Sequence, residues 1–223
     1  MTTPTQEREE EKETSRVEAF SDGVFAIAIT LLVLGLIEMP HPPEGEPLLR
    51  ALLRDWERFV AFAVGFCTIL VCWINHHHMM RYIRRLDSRF MWVNGFLLFL
   101  VTFIPFPTDI LARYVGTEPT AAVALFGFGY FMIAFAYGWV WSYACDHGLV
   151  DPAGDRGYFR AVRMTYRAAT IYTLLTFPVC FVSVTAAAVL YAVMFAVFAF
   201  PHEFALRLAA FATARRPKRP QAG

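Results

Sequence analysis

The chain is 223 residues long and 57% hydrophobic, with 22 phenylalanines and a mean hydropathy of +0.44, which excludes an ordinary soluble domain. Its formal net charge of +1 gives no reason to expect nucleic acid as a partner; the distribution of charge along the chain carries the information. Several stretches approach or exceed the roughly 20 apolar residues needed to cross about 30 Å of hydrocarbon, so the expected class is an all-α membrane protein.

Residues 1–15 are polar and acidic, and no basic segment leads into an apolar one as in a cleaved signal peptide. They read as a disordered cytosolic tail. The first expected span, 17–38, lies in RVEAFSDGVFAIAITLLVLGLI. Arg16, Phe20, Gly23, Ile27, Leu31 and Leu34 recur at helical spacing and line one face, whereas Ser21 and Asp22 fall well away from it. Polar and ionisable groups are costly inside a bilayer, so Ser21 and Asp22 mark either a pathway or a buried contact.

A Pro-rich linker at 39–47 leads into LLRALLRDWERF, an amphipathic approach to the second span, 57–78. That span closes on Trp73, Asn75, His76, His77 and His78. The third, 90–112, contains Pro105 and Pro107, each of which removes a backbone donor and should kink or end the helix. The fourth is 119–144. Residues 168–206 are apolar almost throughout, too long for one span, and are divided into 161–182 and 184–207 by a short turn near 182–184. Pro178, Ser183 and Thr185 are the only punctuation there. No repeat at half-chain scale is present, so residues 16–208 form one six-helix membrane domain, followed by a basic cytosolic tail at 209–223.

Six spans put both termini on one side of the membrane. With the termini inside, 16 of the 20 basic residues lie on inner segments, and only Arg50, Arg54, Arg58 and Arg113 lie outside. The positive-inside rule therefore places the termini in the cytosol. Cys67, Cys72, Cys145 and Cys180 form no CxxC pair and read as small buried hydrophobes.

This topology brings Ser21 and Asp22 to the depth of the Trp73–His78 segment. A buried carboxylate needs a donor, and the expected pairing is Asp22 with His77, with Trp73 one turn below on the same face. The alternative is that His76, His77 and His78 cap a membrane helix at the headgroup level. Adjacent residues on a helix diverge, so three consecutive histidines make a poor metal site, and no metal or cofactor is expected. His202-Glu203 does not continue to a second His at the zincin spacing. A nucleophile elbow, a P-loop and a dinucleotide fingerprint are all absent from the sequence, so no enzyme is indicated. The carbonyl filter TVGYG is absent as well. Any ion conduction would then use a hydrophobic constriction, although an aliphatic stripe also suits packing against neighbours or lipid.

The pattern R-x-x-x-F-S-D-G, formed by Arg16, Phe20, Ser21, Asp22 and Gly23, resembles the signature of the endolysosomal potassium channel family (transmembrane protein 175) and its bacterial relatives. The resemblance implies that the first helix lines a pore and that Ile27, Leu31 and Leu34 form its constriction. It also implies an inner network joining the first two helices, with Trp73, Asn75 and His77 as its members here. It makes Thr30 a selectivity candidate, though its hydroxyl could equally bond back to the carbonyl of Ala26. Glu38 either attracts cations at the outer mouth or caps the span in water. One helix per subunit cannot enclose a pore, so several copies are needed, and the family's bacterial members imply a homotetramer. The expected protein is a potassium-selective or weakly selective leak channel in a prokaryotic plasma membrane, with potassium ions, lipid and copies of itself as partners. A proton leak or proton-coupled transporter using Asp22 and the histidines is the alternative.

Overall fold

The computed structural model describes residues 4–37 and 45–199. Its first helix, α1 (Pro4–Leu31), begins twelve residues earlier than a disordered 1–15 tail allows. The segment PTQEREEEKETS explains the difference. It is rich in strong helix formers, it places Pro in the first turn, and acidic residues early in a helix suit its dipole.

After a turn at Leu32 and Val33, α2 (Leu34–Ile37) continues the same span. The Pro-rich linker and Glu38 lie largely outside the described residues. A short surface helix, α3 (Leu48–Arg54), leads into α4 (Trp56–Met80). The third span is interrupted where the prolines require it: α5 (Ser88–Phe103) stops at Ile104, and α6 (Pro105–Tyr114) resumes from Pro105. Helix α7 (Pro119–Asp146) follows as one unbroken rod. Next come α8 (Arg156–Thr176), a 3-10 turn at Phe177–Phe181 containing Pro178, and α9 (Val184–Ala199). The break falls where Ser183 and Pro178 suggested, and the Ser183 hydroxyl accepts from the amide of Ala186 at 3.2 Å to cap α9.

Among the described residues four helices are long and apolar enough to cross a membrane: Lys12–Ile37, Trp56–Met80, Ser88–Tyr114 and Pro119–Asp146. The remaining two expected spans correspond to α8 with its 3-10 turn and to α9. The former carries Arg156, Arg160, Arg163 and Arg167, and the described part of the latter is 16 residues long. The basic 209–223 tail lies outside the described residues.

Helix α7 is the spine, flanked by α5, α6, α8, the 3-10 turn and α9, while α1 packs at the far side on α4 and α5. Small residues allow the close approaches. A Cβ at Gly127 would lie 1.9 Å from the Tyr191 hydroxyl, so α7 and α9 meet there with no spare room. A Cβ at Gly65 would be 2.9 Å from both Leu32 and Thr108. Helix α7 ends in a Schellman motif: Gly148 takes a left-handed φ of 66°, and the Leu149 amide reaches back to the carbonyl of Ala144 at 2.9 Å. The chain then zips onto the α4–α5 loop through an Ile83–Val150 bridge. Tyr82, Trp141, Tyr158 and Phe159 cover that end in an aromatic cluster, with the Trp141 indole donating to the Phe159 carbonyl at 3.1 Å.

Candidate functional site: the two faces of the first helix

Two sides of α1 differ completely. Ser21, Phe25, Ala28 and Leu32 are buried, at the seven- and four-residue spacings of a helix stripe packed on α4 and α5. The opposite stripe has no cover among the described residues. Phe20 is 67% exposed, Ile27 61%, Leu31 42% and Leu34 49%. Arg16, Gly23 and Thr30 belong to this exposed side too. Among the described residues a Cβ added at Gly23 would meet nothing within 4 Å, so none of them requires glycine there for space.

On the packed face the polar residues are locked rather than free. The Ser21 hydroxyl donates to the Val17 carbonyl at 2.8 Å and accepts from Asn94 Nδ2 at 3.1 Å. Asn94 Oδ1 lies 2.9 Å from His76 Nε2. With the Asn94 amide oriented to donate to Ser21, its oxygen must accept, so His76 carries its proton on Nε2. The result is a directed chain, His76 to Asn94 to Ser21 to Val17, crossing α4, α5 and α1. Ser21, Asn94 and His76 are all buried, and among the described residues His76 Nδ1 has no partner. In a dry interior each such hydrogen bond is costly to leave unmade, so the chain fixes the rotation of α1 about its axis.

Asp22 sits at the rim of this lock, and its partner differs from the expected one. The Trp73 indole donates to Asp22 Oδ1 at 2.8 Å, whereas His77 Nδ1 lies 3.0 Å from Glu18 Oε1. The reason is helical offset. Residues 18 and 22 are one turn apart on α1, as are 73 and 77 on antiparallel α4, so the two pairs form parallel rungs. The Trp73 and His77 rings stack at 5.8 Å between them. Asn75 belongs elsewhere: it turns toward α8, where the Tyr166 hydroxyl donates to its Oδ1 at 3.4 Å. Sequence reasoning passed over Asn94 and Glu18. The signal for Asn94 was present, since a lone amide within FMWVNGFLLFL must find a partner in the bundle.

Thr30 bonds to the carbonyl of Ile27 at 2.8 Å and not to that of Ala26. The helix tightens here toward i−3 bonding, with the Val33 amide reaching the Thr30 carbonyl at 3.3 Å. Beyond that turn the Gly35 carbonyl accepts from Arg58 at 3.2 Å, which ties α2 to α4. The three histidines point apart, and among the described residues no group of three or more His, Cys, Asp or Glu side chains converges as a metal site would.

Four membrane-length helices, a polar lock joining α1, α4 and α5, and an aliphatic face of α1 left uncovered among the described residues describe a membrane protein. The comparisons give the family. The model described as "Endosomal/lysosomal potassium channel TMEM175" matches residues 16–105, the segment holding the motif, the lock and both rungs. A potassium channel of Chamaesiphon minutus is 40% identical over 181 residues, covering 80% of this chain and 89% of the relative. The crystal structure of a lysosomal potassium-selective channel TMEM175 homolog from the same organism superposes with a TM-score of 0.76 at 38% identity. It covers 86% of this chain and 98% of that one. The human endosomal/lysosomal proton channel TMEM175 is 35% identical over 97 residues, covering 40% of this chain but 19% of the human protein. The chain belongs to the TMEM175 family of ion channels, and it is a membrane protein of ion transport.

Proposed function

We propose that this chain forms a homotetrameric, leak-like, potassium-selective or weakly selective channel in a prokaryotic plasma membrane. Four copies of α1 surround the axis, and Ile27, Leu31 and Leu34 form a hydrophobic constriction. The observation that carries this reading is the uncovered stripe of α1, whose opposite face is already packed. An aliphatic face left open beside a polar lock is what a pore helix needs. The reading takes α8 with its 3-10 turn as the fifth span and α9 as the sixth, with both termini cytosolic. The relatives named potassium channel support the choice of permeant ion.

A cation crossing rings of Ile and Leu sheds water with no compensating oxygens, so flux should be low. Ile27→Asn offers four side chains that hydrogen-bond water and the ion. Planar-bilayer recordings of this variant should show a higher conductance and a reversal potential shifted toward loss of potassium preference. Unchanged conductance and reversal potential would place the constriction elsewhere. Thr30→Ala should lower preference if the hydroxyl leaves Ile27 to face the ion, and change nothing if that bond is its whole role.

The human relative, a proton channel, favours a second reading, in which protons are conducted and Asp22 and the histidines take part. Here Asp22 faces Trp73 and His77 faces Glu18, at the rim of the packed face, which argues for positioning roles. Liposome flux under a pH gradient with no potassium gradient separates the two readings.

A further inference from the structure

The exposed side of α8 has a composition that changes along its length. Arg156, Arg160, Met164, Arg167, Ile171 and Leu174 follow one another at spacings of three and four and form one stripe. All six are exposed, with Met164 at 61% and Ile171 at 58%. The other face of the helix, including Tyr158, Ala161, Thr165, Tyr166 and Ala169, is buried. The stripe is therefore cationic over its first three turns and apolar beyond. Arg163 stands off the stripe and is engaged, bonding Asp146 and the Ser142 carbonyl at the end of α7. That contact fixes the depth: Arg160 lies a turn beyond the end of α7, and Arg167 a turn deeper. Among the described residues neither Arg160 nor Arg167 makes an ion pair.

Seven residues separate these two arginines, about 10.5 Å along the axis with nearly the same direction, so both guanidinium groups can turn onto one phosphate placed over Met164. A ligand whose anionic head meets Arg160 and Arg167 and whose tail runs past Ile171, Leu174 and Leu175 satisfies the whole stripe. We infer that this face of α8 is a binding site for an anionic phospholipid of the inner leaflet. The inference rests on the proposed reading for its orientation, with α1 at the axis and the arginines cytosolic. Among the described residues helix α8 packs mainly on α7, with the 3-10 turn and α9 beside it, which puts it on the lipid-facing periphery of such an assembly. Charge complementarity selects the lipid, because a zwitterionic headgroup brings its own cation to the arginines.

The test is retention of phosphatidylglycerol against phosphatidylcholine by the purified full chain, read by native mass spectrometry and by thermal unfolding in detergent. R160Q/R167Q should weaken phosphatidylglycerol binding on the order of ten-fold and abolish its stabilising shift. R81Q/R89Q, removing two exposed arginines at the same end of the bundle, should retain both. Should the double variant fail to purify, Met164→Glu places a carboxylate between the arginines and should give the same loss. Equal weakening by R81Q/R89Q, or none by R160Q/R167Q and M164E, overturns the site. Binding is read without currents, and bilayer recordings of the same variants in neutral lipid report separately on the channel reading.

Discussion

At the residue scale, the buried chain from His76 to Val17 is where the structure is most demanding. Asn94→Leu removes the acceptor for His76 Nε2 and strands that donor inside the bundle, costing about 1–3 kcal/mol. Ser21→Ala strands the Asn94 amide instead, at a similar cost. Because both act on one chain, the double variant should lose less than the sum of the two singles. Thermal unfolding of the four detergent-solubilised proteins checks this, and strict additivity would mean that the chain is not a unit. Asp22→Ala is milder in kind, since it leaves the half-exposed Trp73 indole near the interface, where water can reach it. A small drop in thermal stability, rather than altered selectivity, is the expected result. Tyr191 offers the opposite sign: among the described residues its buried hydroxyl has no hydrogen-bond partner, so Tyr191→Phe should leave stability unchanged or raise it by about 1 kcal/mol.

At the scale of elements, the helix contacts depend on glycine where no side chain fits. Gly127→Ala would drive a methyl to 1.9 Å from the Tyr191 hydroxyl and 2.3 Å from its ring carbon. A ring cannot bend aside as a lysine tail would, so α9 must shift, at about 1–3 kcal/mol. Limited proteolysis should then cut first near the 3-10 turn before α9. Gly148→Ala acts through the backbone instead, forcing a side chain into the left-handed region at about 1–2 kcal/mol while leaving every contact in place. The elements themselves were largely legible in the sequence. Apolar runs gave the four helices long enough to cross a membrane, Pro105 gave the break in the third, and Pro178 with Ser183 gave the last turn. Two things were not legible, for physical reasons. Residues 4–15 are helical because propensity and the helix dipole outweigh polarity, and a polar segment alone does not reveal which wins. The pairing of Asp22 with Trp73 rather than His77 depends on the relative height of two antiparallel helices, which spacing within each one does not fix.

At the scale of the whole molecule, the proposed assembly and the closing loops each give an expected outcome. Leu34→Cys should crosslink between copies around the axis, giving dimers and higher species on non-reducing gels; crosslinks from cysteines on α5 instead would move the axis. Where the α4–α5 loop meets α5, burial raises the Asp87 carboxyl, but the Phe90 amide at 2.6 Å and the Tyr143 hydroxyl at 2.9 Å outweigh it. The net effect holds the carboxyl below its usual range. A depressed folded-state value means that its contribution is present above the unfolded carboxylate range near 4 and is lost as pH falls through the folded value. Asp87→Asn, which can still cap α5, should therefore flatten the loss of thermal stability between about pH 5 and pH 3. An unchanged acid limb would assign that loss to other carboxylates.

Helix α1 keeps its packed face and its exposed stripe on opposite sides. Ser21, Phe25, Ala28 and Leu32 hold it in place, and none of them lies on the stripe of Phe20, Gly23, Ile27, Leu31 and Leu34. On the proposed reading this separation leaves the pore open to variation. A library randomised at positions 20, 23, 27, 31 and 34 should yield mostly folded subunits whose conductances differ. The same diversity placed at 21, 25, 28 and 32 should yield few subunits to measure. Selection can then tune what passes through without renegotiating how the protein is built.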